Sequence, residues 1–67
     1  MRVVTGRRFQ EVRADGRRRV LEVRYTFPDP CRGERARCRL VEGVGRARPV
    51  VAVVRLLSPA LWVEVST

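Results

Sequence analysis

Leu21-Glu22-Val23-Arg24-Tyr25-Thr26-Phe27 is the stretch whose reading decides the fold. Leu21, Val23, Tyr25 and Phe27 fall on one side of an extended chain, and Glu22, Arg24 and Thr26 on the other. Alternation with period two, in residues that favour strands, predicts a β-strand with one buried face. The same pattern recurs downstream. Ala36, Cys38 and Leu40 alternate with Arg37, Arg39 and Val41, and Leu61, Val63 and Val65 alternate with Trp62, Glu64 and Ser66. No segment carries an apolar 3.6-residue period, so the fold class expected is all-β.

The turns fit this reading. Ala14-Asp15-Gly16 reads as a three-residue hairpin loop, a type I turn closed by a glycine with positive φ. That loop sets Phe9 opposite Leu21, Arg8 opposite Glu22 and Glu11 opposite Arg19. A two-residue Asp-Gly turn would instead set Phe9 against Glu22, and register follows the pairing of apolar with apolar. Phe27-Pro28-Asp29-Pro30 is expected to end the second strand, since proline cannot join an interior ladder, with a loop to about Arg35. Gly43-Val44-Gly45 starts another hairpin. Pro49 opens a strand from Val50 to Leu56 that is apolar on both faces. Ser58-Pro59-Ala60-Leu61 reads as one helical turn, with Ser58 as N-cap and Pro59 at the first helical position. A last short strand runs from Trp62 to Val65.

Five or six short strands in 67 residues suggest a small barrel that closes to hide its edges. The single helical turn in Leu57-Ser58-Pro59-Ala60-Leu61-Trp62-Val63, just ahead of the last strand, resembles the corresponding turn of SH3-like barrels. The likeness is one of fold and covers most of the chain. It implies no polyproline binding, because the acidic and aromatic residues of peptide-binding SH3 domains have no counterpart here.

Composition bounds the function. The chain holds 15 arginines, with no lysine or histidine, against 7 carboxylates, giving a net charge of +8. Arginine keeps its charge at any ordinary pH. Lysine, asparagine and isoleucine are all absent, and their codons are AT-rich, so a GC-rich genome accounts for part of the arginine excess. The length fits a single domain, residues 1–67, burying only about 60% of its unfolded surface. Phe9, Tyr25, Phe27 and Trp62, with the valines and leucines, must supply the core. Met1-Arg2 leads into no apolar leader segment. The longest apolar run, Val50 to Val54, is far short of the roughly 20 residues that span a bilayer. A cytoplasmic protein that binds no membrane is expected.

Catalysis is hard to assemble from these residues, and no enzyme is expected. There is no histidine or lysine base, Ser58 is explained as a cap, and no glycine-rich phosphate loop precedes a helix. No cofactor is implied. Cys31 and Cys38 lack the two further ligands of a zinc site, so no metal is expected. Cys38 should face inward and Cys31 lie in a loop; a disulfide between them is the alternative.

The arginines carry the functional reading. Pairing Tyr25 with Cys38 would put Arg24 opposite Arg39 and Thr26 opposite Arg37. Arg24, Arg37 and Arg39, with Arg35, would then form a stripe, and the loop adds Arg32. Guanidinium groups bind phosphate bidentately and stack on bases. Trp62 alternates with Leu61 and Val63; it would either stack on a base from outside or cover the seam of the barrel half-buried. Arg24, Arg32, Arg35, Arg37, Arg39 and Trp62 are thus the candidate site for nucleic acid, DNA or RNA, held chiefly through backbone phosphates. Arg37 and Arg39 should be exposed; finding them buried, or paired with Glu22 and Glu42, would instead mark a solvated or structural face. The rival reading is a protein-interaction adaptor or inhibitor that docks on an acidic surface of a larger complex. The two-faced strand from Val50 to Leu57 would suit such contacts, or a homodimer.

Overall fold

The computed structural model describes residues 4–65. Five strands form one antiparallel sheet: β1 (Arg8–Glu11), β2 (Val20–Asp29), β3 (Gly33–Glu42), β4 (Val50–Ala52) and β5 (Trp62–Val65). One short helix, α1 (Val53–Leu56), lies between β4 and β5. The order across the sheet is β4-β3-β2-β1-β5. The chain is therefore all-β in character. The sheet is not closed: β4 and β5 are its two edges, and α1 carries the chain from one to the other.

The first hairpin has the expected register. Phe9 pairs with Leu21 and Arg8 with Glu22. The Glu11 N–H donates to the Arg19 carbonyl at 2.8 Å. Gly16 has φ +78°, and the Asp15 carboxylate accepts from the Arg17 N–H at 3.0 Å, bracing the turn.

The β2–β3 register differs from expectation. Val23, not Tyr25, pairs with Cys38, and Glu22, not Arg24, faces Arg39. Arg24 is an extra residue between the Val23–Cys38 and Tyr25–Arg37 pairs, a β-bulge. The physical reason is pairing quality. This register sets Leu21 against Leu40, Val23 against Cys38, and a carboxylate against a guanidinium, where the expected one opposed two arginines. The bulge also reverses the alternation. Leu21 and Val23 are buried, but Tyr25 is 53% exposed and Phe27 only half-buried. The strand also continues through Pro28 to Asp29, leaving a turn at residues 30–32. Proline is tolerated because β1 pairs with β2 only as far as Glu22, so no described strand flanks the far half of β2 on the side away from β3.

Residues 50–57 are not one strand. β4 stops at Ala52, and residues 53–56 coil into α1. Val53 and Leu56, three apart, share one face of that helix and are both buried. In an extended strand they would point to opposite faces. Coiling brings Val53 and Leu56, one from each apolar face, into one core, against valine's low helix propensity. The turn expected at Ser58 is present as a second bend: the Ser58 carbonyl accepts from the Leu61 and Trp62 N–H groups, each at 3.0 Å. The helix itself lies before it.

The core comprises Val4, Phe9, Leu21, Val23, Ala36, Cys38, Val53, Leu56 and Trp62. Cys38 is buried as expected, and Cys31 lies exposed in the turn after β2. Burial pushes the Cys38 thiol up to about 11. Trp62 is 7% exposed while Val63 is 50% exposed, so β5 has the opposite phase to that expected. Trp62 fills the core, which has few other large side chains.

Candidate nucleic-acid interface

The outer face of β2 and β3 is built by the bulge. Arg37 and Arg39 stand on β3 with Ala36 and Cys38 pointing the other way into the core. Arg24 and Tyr25 come from the bulge itself. Arg48, from the β3–β4 connection, completes a hollow of about 660 Å³. Among the described residues no carboxylate lines it. Phe27 supports the tyrosine, with ring centroids 6.1 Å apart and planes tilted by 49°. An exposed aromatic ring among guanidiniums can stack on a base while the cations hold phosphate.

The arginines of this face are not all free. The Arg39 side chain donates to Glu22 at 3.4 Å, and Arg24 to the same carboxylate at 3.5 Å. Arg8 donates to it at 3.2 Å from the other side. These contacts, Arg8's hydrogen bond foremost, hold the Glu22 carboxyl below its ordinary range. Part of the expected stripe is thus structural. Arg37 is half-buried rather than exposed and donates to the Arg48 carbonyl at 3.1 Å. Neither Arg37 nor Arg48 makes an ion pair among the described residues.

The six candidate residues divide between two places. Arg24, Arg37 and Arg39 line the hollow just described. Arg32, Arg35 and Trp62 line a second one, of about 500 Å³, together with Arg19 and Arg55. There Trp62 is not an outside stacking platform: it is buried, with the Arg19 guanidinium 5.5 Å from its ring centroid. Arg35 contacts Asp29 at 4.0 Å. Sequence reasoning missed Tyr25 and Arg48 as site residues. Tyr25 was hidden by the bulge, and Arg48 sits in a connection with no periodic pattern to place it.

Among the described residues no group of three or more histidine, cysteine or acidic side chains is placed to hold a metal ion. No helix is long and apolar enough to cross a membrane. Comparison of the chain with known protein families, with curated proteins and with solved structures gives no match.

Proposed function

We propose that this protein is a small, non-enzymatic nucleic-acid-binding domain that contacts DNA or RNA mainly through backbone phosphates. One observation carries the reading: a hollow that no carboxylate of the described residues lines, formed by Arg24, Arg37, Arg39 and Arg48 around an exposed tyrosine. The net charge of +8 supports it, because phosphate binding gains most of its free energy from counterion release. The scaffold reads as an SH3-like barrel left open between β4 and β5. That assignment is supported by the sheet order, in which β1 lies between β2 and β5, and by the short helix between β4 and the last strand. A cytoplasmic location suits an unbridged thiol pair.

The test is a titration of generic DNA and RNA across a salt series, with Arg37→Gln/Arg48→Gln as the variant. Both residues lack acidic partners, so the fold should persist by circular dichroism. Binding should weaken by similar factors for every sequence, and the salt slope should fall by about one unit for each phosphate no longer held. Unchanged binding at every salt concentration would remove this reading. The pairing of Arg39 with Glu22 favours the rival, an adaptor or inhibitor that docks on an acidic protein surface, and that reading would then take its place.

A further inference from the structure

The second hollow lies where the sheet fails to close, between the edge strand β4 and the start of β5. Its charge is lopsided. Arg19, Arg32, Arg35 and Arg55 line it against a single carboxylate, Glu11, which accepts from Arg19 at 3.1 Å. Arg32 and Arg55 are exposed and make no ion pair among the described residues. The Nε atoms of Arg19 and Arg35 are buried and have no hydrogen-bond partner among the described residues. A buried guanidinium N–H without an acceptor is costly, and native proteins rarely leave one so. Both Nε atoms lie beneath the accessible surface, so what a ligand in the hollow meets is the surplus of guanidinium charge, four against one carboxylate, and that surplus points to an anion.

The rest of the lining says what kind. All three residues of β4 (Val50, Val51 and Ala52) line the hollow, and Leu61 adds to the apolar wall. β4 pairs with β3 on one side, and no described strand flanks the other. A free strand edge presents backbone donors and acceptors to an incoming extended chain. An apolar wall beside that edge suits alternate apolar side chains, which a phosphodiester backbone lacks. We propose that this hollow takes an extended acidic peptide segment of a partner protein, which adds along the free edge of β4 and sets its carboxylates against Arg32, Arg35 and Arg55. The proposal does not depend on the nucleic-acid reading, because the two hollows share no lining residue.

The probe is a short blocked peptide in which valine and glutamate alternate, compared with its glutamine counterpart. Trp62, the chain's one tryptophan, lies at the hollow and reports binding by its fluorescence. Amide NMR shifts map the bound surface. The glutamate peptide should bind saturably, with shifts centred on Val50, Val51 and Ala52. Affinity should fall about tenfold with the glutamine peptide, and by a similar factor in Arg32→Gln/Arg55→Gln. Those two side chains are exposed and unpaired, so the variant should fold. Arg37→Gln/Arg48→Gln should bind the peptide as the parent does. The proposal is overturned by absence of saturable binding, by equal affinity for the glutamine peptide, or by indifference to Arg32→Gln/Arg55→Gln. It is overturned as well if Arg32→Gln/Arg55→Gln weakens oligonucleotide binding as strongly as Arg37→Gln/Arg48→Gln does, for then the hollow belongs to the nucleic-acid surface.

Discussion

Glu22 and Arg39 stand directly opposite each other on β2 and β3, and the Arg39 Nη2 lies 3.4 Å from the Glu22 Oε1. The same carboxylate serves Arg8 and Arg24. One negative charge therefore separates three guanidiniums that would otherwise repel one another. Glu22→Gln should lower the thermal midpoint at neutral pH. The sign of the pH effect follows from the depressed carboxyl. Its stabilising contribution is complete above the ordinary glutamate value of about 4.3 and is lost as pH falls through the lower folded value. Thermal melts of parent and variant should accordingly converge in acid. A gap that stays constant from neutral pH to the acid limit would show that the Glu22 charge contributes nothing.

Gly16 and Gly43 both have positive φ, +78° and +98°, but their surroundings differ. A Cβ on Gly16 meets nothing within 4 Å, whereas one on Gly43 would collide with the backbone carbonyl of Arg18 and approach the Arg19 Cα at 3.0 Å. Gly16→Ala should cost about 1 kcal/mol, the conformational penalty alone. Gly43→Ala should cost more than about 2 kcal/mol, because the β1–β2 connection at Arg18 and Arg19 and the β3–β4 connection must separate. Chemical denaturation of the two variants measures the difference. Equal losses would mean that the close approach at Gly43 is absent.

Val54 and Leu56 would share a face if residues 50–57 were extended, and with α1 they do not. Leu56 is 1% exposed and Val54 75% exposed. Leu56→Ala should cost about 2–5 kcal/mol, enough to unfold much of a domain this small. Val54→Ala should stay within about 0.5 kcal/mol of the parent. Comparable losses at both positions would restore the strand.

The two thiols should differ sharply towards an alkylating reagent. Cys31 is exposed and should react in the native protein, while Cys38 should react only after denaturant is added, as read by intact mass. Burial holds the Cys38 thiol neutral up to about 11, above its ordinary 9.0. Between those values the folded chain keeps a proton that the unfolded chain releases, so stability should fall as pH rises through that window. Cys38→Ala should lack that alkaline slope, although its smaller side chain lowers stability overall.

By itself the sequence determined the all-β class, the Ala14-Asp15-Gly16 turn, the Phe9–Leu21 register and the inward Cys38. These rest on local chemistry: side-chain period, turn residues and the matching of apolar partners across a short loop. Tertiary structure alone decided the bulge at Arg24, the coil of residues 53–56 and the inward turn of Trp62. Each was settled by a competition the local pattern does not record. At Arg24, cross-strand pairing of Glu22 with Arg39 outweighed unbroken alternation and sent Tyr25 outward. At Val53 and Leu56, a core short of large side chains outweighed valine's preference for strands, and the same shortage drew in Trp62. The arginines followed those choices. Their number was legible in the sequence, but their division into two hollows depends on where the sheet bulges and where it stays open.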